Sequence, residues 1–153
     1  PHCRTAHVAL KDLLSRYRVE VRFVFHHFPL SNQCNPAMQM RGHEHACESA
    51  VAAECAAEQG QFDAYSNLLF ANQESLGAEA LRGLARDVGI DADAFEKCLS
   101  GERAAARVKA DVEAGQRAGV RSTPTFFING RKIEGNLQYQ DWIHAFALEL
   151  DKG

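Results

Sequence analysis

At 153 residues, with 46% hydrophobic and 24% charged residues, the chain has the size and composition of one globular domain. Its 17 basic residues against 20 acidic ones give a formal net charge of -3 with no basic block, which argues against a nucleic-acid binder. The longest apolar stretches fall well short of the roughly 18 residues that a membrane-spanning helix needs.

The chain opens on Pro1-His2-Cys3 rather than Met, and we read this start as the boundary of a piece of a longer chain. From Cys3 to Tyr17, Ala6, Val8, Ala9, Leu10, Leu13 and Leu14 recur near helical spacing, which predicts an amphipathic helix beginning at or before Cys3. Val19, Val21, Phe23 and Phe25 then alternate with Glu20, Arg22 and Val24, the period-two pattern of a strand ending at His26-His27-Phe28-Pro29. Ser31 to Gly42 reads as a polar loop. A helical block of about 75 residues follows, with segments His43–Gln59, Gln61–Ala71, Ala78–Val88, Asp91–Leu99 and Glu102–Ala118; Gly60 serves as a C-cap. Thr125–Ile128 and Arg131–Glu134 flank Asn129-Gly130, a strong hairpin signal. Gln138–Leu150 closes the chain as an amphipathic helix. One hairpin and one distant strand make only a thin sheet, so further strands are expected upstream.

Five cysteines, at positions 3, 34, 47, 55 and 98, exceed ordinary cytosolic usage, and the odd count leaves one thiol over. Cys47 and Cys55 lie eight residues apart on one predicted helix, about 12 Å along its axis, beyond the roughly 7 Å that a disulfide tolerates. Two arrangements remain. Cys34–Cys47 with Cys55–Cys98 is the preferred one, and Cys34–Cys98 with two free thiols is the other. His43, His45, Cys47 and Cys34 offer zinc-type donors, but their spacing fits no zinc pattern, and no metal site is assigned. His26 and His27 lie within reach of an active site at the strand end, although solvated or core histidines are commoner.

Two short motifs carry chemistry. A cysteine placed before Pro1 would complete Cys-Pro-His-Cys at a helix N-terminus. There, unpaired N–H groups, the helix dipole and His2 favour a thiolate on the first sulfur, well below the usual thiol pKa of about 8.5. The two-residue spacing lets Cys3 reach a mixed disulfide formed by that first thiol. In Ser122-Thr123-Pro124-Thr125, a cis bond before Pro124 would present the Thr123 backbone to an extended substrate.

Together these residues resemble the DsbA-like thiol-disulfide oxidoreductases of the thioredoxin superfamily. Pro1-His2-Cys3 is similar to the end of that family's CPHC motif, Thr123-Pro124 to its cis-Pro loop, and Phe126-Phe127-Ile128-Asn129-Gly130-Arg131 to the following hairpin. The segments from Glu54 to Phe62 and from Ala118 to Val120 resemble its helical insertion and the approach to the cis-Pro. The resemblance implies an α/β thioredoxin fold, with core residues 1–30 and 118–153, a helical insertion at 43–117 and a connecting loop at 31–42. The family's nucleophilic cysteine and the strands before it have no position in this sequence and are expected upstream. Cys3 would then be the resolving cysteine, with His2 and Pro1 completing the catalytic motif; Ser122, Thr123 and Pro124 would bind substrate. The resemblance further implies no cofactor, cysteine-containing protein substrates, a membrane redox partner of the DsbB or vitamin-K-epoxide-reductase type, and a periplasmic or other extracytoplasmic location in a bacterial envelope. Extra cysteines in the helical block of related envelope oxidoreductases agree with the preferred pairing. A glutathione-dependent transferase or isomerase of the same fold, and a non-catalytic thioredoxin-fold binding module, are the alternatives.

Overall fold

The computed structural model describes residues 2–39 and 43–151; Pro1 and positions 40–42 of the predicted loop lie outside the described residues. Seven helices and one hairpin follow in the order α1 (His2–Arg16), α2 (Ala46–Ala57), α3 (Phe62–Ala71), α4 (Ala78–Asp87), α5 (Ala92–Leu99), α6 (Arg103–Arg117), β1 (Thr125–Ile128), β2 (Arg131–Glu134) and α7 (Tyr139–Leu150). The chain divides into two compact units, residues 1–25 with 120–153, and residues 26–119.

The unit formed by residues 26–119 is built around α2. Half of this helix is alanine, and Ala50, Ala52, Ala53 and Ala56 are buried together with Cys55. Small side chains allow close approach from several sides, and α3, α4, α5 and α6 all pack on it. Tyr65, Leu81, Phe95 and Ala104 complete the core. Burying a side chain the size of Leu or Phe contributes about 1.5–3 kcal/mol. The Tyr65 hydroxyl, deep in this core, donates to the Leu81 carbonyl at 2.9 Å, and its ring meets Phe95 edge-on at 5.9 Å. The same burial pushes its phenol well above the ordinary range. Asp91 caps α5 by accepting a hydrogen bond from the Ala94 N–H at 2.8 Å.

The other unit packs Leu10 and Leu13 of α1 against Trp142 and Phe146 of α7, with Phe126 and Ile128 of β1 alongside. The Phe126 and Trp142 rings meet edge-on at 4.6 Å. The hydroxyl of Tyr139 donates to Asp12, which is also paired with Arg16, and this holds the Asp12 carboxyl below its usual range. The hairpin is antiparallel, with Thr125 opposite Glu134 and Ile128 opposite Arg131. Asn129 (φ 46°) and Gly130 (φ 85°) both sit in the left-handed region, as a two-residue primed turn requires.

One predicted element does not form. Residues 21–29, which include most of the expected strand, carry no strand assignment, and the described sheet has only the two hairpin strands. Alternation specifies which face a strand would bury, but the ladder needs a neighbour. None pairs with this segment among the described residues, and Val19, Phe23, Val24 and Phe25 are left exposed.

Both preferred disulfides are present, Cys34–Cys47 with Cα atoms 5.9 Å apart and Cys55–Cys98 with Cα atoms 5.6 Å apart. They close loops of 13 and 43 residues. In the chain-entropy model such loops are worth about 3 and 4 kcal/mol. Urea denaturation should therefore show a greater loss for Cys55→Ala/Cys98→Ala than for Cys34→Ala/Cys47→Ala; equal losses would refute the loop-size account. Tyr65→Phe should cost about 1 kcal/mol in the same assay by removing the hydroxyl's bond to the Leu81 carbonyl, and an unchanged midpoint would show that this bond adds nothing to the carbonyl's place in the α4 ladder.

Candidate functional site

The amphipathic spacing that makes α1 places Cys3 in its first helical turn. Cys3 is half-buried with a free thiol, and His2 beside it is exposed. Pro1, the third member of the predicted catalytic motif, lies outside the described residues. In the same unit the Thr123–Pro124 peptide bond is cis. Pro124 is buried, Thr123 half-buried and Ser122 exposed. The turn is held locally: the Thr125 hydroxyl donates to the Ser122 carbonyl at 2.7 Å, and the Gly135 N–H donates to the Pro124 carbonyl at 2.8 Å. These bonds leave the Thr123 backbone outside the β1–β2 ladder, which begins at Thr125.

The five cysteines thus have two fates. Cys34, Cys47, Cys55 and Cys98 are consumed in disulfides within the helical unit, and Cys3 keeps its thiol. Cys34 and Cys47 bond to each other, so neither supplies a thiolate to the zinc arrangement considered with His43 and His45.

A second constellation lies in the helical unit. His27, 5% exposed, sets its Nε2 at 2.9 Å from Glu54 Oε1 of α2, and its backbone N–H donates to Asp111 Oδ2 of α6 at 2.9 Å. His26 Nδ1 donates to the other oxygen of Asp111 at 2.8 Å, and the Arg107 guanidinium stands 3.9 Å away. Asp111 is 4% exposed. The His27 ring also meets Phe62 edge-on at 6.1 Å. Burial pushes the His27 imidazole below its ordinary value, and the Glu54 carboxylate pulls partly against that shift.

The histidines were legible as a pair at a segment end; their partners were not. A signal existed, since Asp111 falls between Val108 and Val112 on the buried stripe of α6, where a carboxylate needs a donor. Glu54 gave a weaker sign, lying between Ala53 and Cys55 in a helix whose neighbours are buried.

Comparison with known proteins places this arrangement among thioredoxins. The family model described as "Thioredoxin" matches residues 1–146. The chain is 38% identical over 135 residues to the protein named Na(+)/H(+) antiporter NhaA 3 of Salinispora tropica, covering 88% of this chain and 19% of that protein. A similarly named protein of Nitrosospira multiformis is 32% identical, over 97% of this chain and 24% of its own length. The chain therefore spans about a fifth of the length of these curated relatives. Among solved structures, a thioredoxin-like oxidoreductase from Silicibacter pomeroyi superposes with a TM-score of 0.75 at 20% identity, covering 97% of this chain and 79% of that one. The thiol-disulfide exchange protein alpha-DsbA2 from Wolbachia pipientis gives 0.76 at 14% identity, over 99% and 74%. The fold is thioredoxin-like, mostly helical, with a two-stranded sheet among the described residues.

The buried imidazole generates a pH dependence. Because the folded-state pKa of His27 lies below the ordinary 6.5, the unfolded chain binds a proton between those values that the folded chain does not. Its contribution to stability is complete above pH 6.5 and is lost as pH falls through the window beneath. Urea midpoints measured from pH 7.5 down to 5.5 should decline less steeply for His27→Gln than for the parent; identical slopes would show that His27 does not titrate in this way.

Proposed function

The chain belongs to the thioredoxin family, and from that membership we propose that it is a DsbA-like thiol-disulfide oxidoreductase acting on protein cysteines. The observation that carries this reading is the partition of the cysteines, with Cys3 alone retaining its thiol at the start of α1 and the other four locked in pairs. In the proposed cycle the partner thiol is a cysteine directly preceding Pro1 in the natural chain. Its thiolate attacks a substrate disulfide, one substrate sulfur leaves as a thiolate, and a mixed disulfide links the two proteins. Cys3 then attacks the enzyme sulfur of that link, releasing the second substrate thiolate and closing the enzyme disulfide. Two electrons and two protons pass from enzyme to substrate, and the reverse sequence oxidises substrate.

Residue roles follow from position. Cys3 resolves the mixed disulfide. His2, exposed beside it, supplies a hydrogen-bond donor or charge near the sulfurs, and Pro1 lies between the two thiols in sequence. Thr123, outside the hairpin ladder, offers backbone groups to an extended substrate, with Ser122 and Pro124 shaping the turn. Two disulfides in the helical unit support an oxidising, extracytoplasmic compartment. A membrane redox partner of the DsbB or vitamin-K-epoxide-reductase type would reset the active-site pair. Ion exchange is not assigned to this chain. The resemblance to the antiporter-named proteins covers a fifth of their length, and no helix among the described residues is long and apolar enough to cross a membrane.

The test is turbidimetric insulin reduction with dithiothreitol by the natural chain, including the residues before Pro1. The parent should accelerate precipitation. Cys3→Ala should lose most of that rate and accumulate mixed disulfides visible by mass spectrometry. A folded parent without activity, or full activity in Cys3→Ala, would overturn the dithiol reading and favour the glutathione-dependent or non-catalytic alternative.

A further inference from the structure

We propose that His27, Glu54 and Asp111 form a binding site for a divalent transition-metal ion, matched best by Zn2+. The proposal is independent of the thiol chemistry, since all three residues belong to the helical unit and none is a cysteine.

The three side chains come from separate stretches of sequence, and the packing of α2 on α6 collects them. One donor atom from each lies within 4.8 Å of the other two. Tetrahedral zinc with bonds of about 2.0–2.2 Å holds its ligand atoms roughly 3.4 Å apart, so modest side-chain rotations satisfy it. One imidazole with two carboxylates is a borderline-to-hard donor set that suits Zn2+ better than a thiophilic ion. The fourth position falls to water.

Charge points the same way. Two carboxylates converge on a mostly buried imidazole, and the nearby cation, Arg107, has a side chain 56% exposed and stands 3.9 Å from Asp111. A doubly charged ion among these groups offsets both carboxylates. The 2.9 Å separation of His27 Nε2 from Glu54 Oε1 is the length of a contact bridged by one proton. Zinc takes the place of that proton, which moves to His27 Nδ1 or to water, and the pair opens by about half an ångström. Asp111 is already oriented for ligation. Each of its oxygens accepts one hydrogen bond, from the His27 N–H and from His26, and each keeps a lone pair. Outer partners of this kind fix ligand geometry in metal sites. The bound ion would fasten the chain at His26–His27 to α2 and α6.

The experiment titrates ZnCl2 into the intact, untagged natural protein against a chromogenic chelator, with its disulfides formed and free thiols alkylated. One equivalent should bind, and Glu54→Gln and Asp111→Asn should each weaken it at least tenfold. Glu54→Gln keeps the shape of Glu54 and an acceptor for His27, so its circular dichroism should match the parent. Nitrogen-15 spectra of the parent histidines provide a readout without substitution, in which zinc should move His27 Nε2 first. Absence of binding at tens of micromolar zinc, parental affinity in either variant, or a response confined to other histidines would each overturn the proposal.

Discussion

An ionised carboxylate on the apolar stripe of a helix is costly unless donors surround it, and Asp111 is in that position on α6. The chain meets the requirement from the far end of the helical unit, with the backbone N–H of His27 and the ring of His26. His27 then needs a partner for its own buried Nε2, which Glu54 of α2 provides. One demand for hydrogen bonds thereby ties the first residues of the helical unit to its central and last helices. The aliphatic core alone would leave the path of this segment unspecified, because residues 21–29 have no strand ladder to hold them.

What the sequence reveals follows the range of the interaction. Elements set by local periodicity are read within a few residues: the five predicted segments of the helical block become α2 to α6, and Asn129-Gly130 turns the hairpin where expected. Helix α2 begins at Ala46 rather than His43. The expected strand before His26 fails because a strand is a property of two segments, and alternation reports on one. The disulfides lie between these cases. Helical geometry removed Cys47–Cys55, but the choice between the remaining pairings rested on contacts that no local pattern encodes. The His27–Glu54–Asp111 cluster was least legible, since its members are 27 and 84 residues apart and meet only through helix packing. Both candidate motifs, Pro1-His2-Cys3 and Ser122-Thr123-Pro124, were visible as short strings, and the fold places their described residues in one unit.

Under the proposed function, exchanging and structural sulfur must be kept apart in one chain. Thiolate attack requires access to a disulfide sulfur, and Cys55 is fully buried in the core of the helical unit. Cys34, Cys47 and Cys98 are half-buried, so the longer loop's disulfide can be approached only from its Cys98 side, whereas both residues of the shorter pair are partly open. Placing both pairs in the unit without the free thiol separates the bonded sulfurs from the Cys3 thiol along the chain.

The division of the chain has a consequence for assembly. The helical unit is continuous, whereas the unit containing Cys3 is assembled from two segments with all of residues 26–119 between them. Loop-closure cost grows with the logarithm of the intervening length, and an unstructured insert of that size would burden every contact between α1 and α7. The His26–Asp111 bond changes the effective length. It pins the start of the insert within about two helical turns of the end of α6, so that once folded the insert counts as a short tether. A buried carboxylate in one unit thereby sets the entropic cost of joining the two segments of the other.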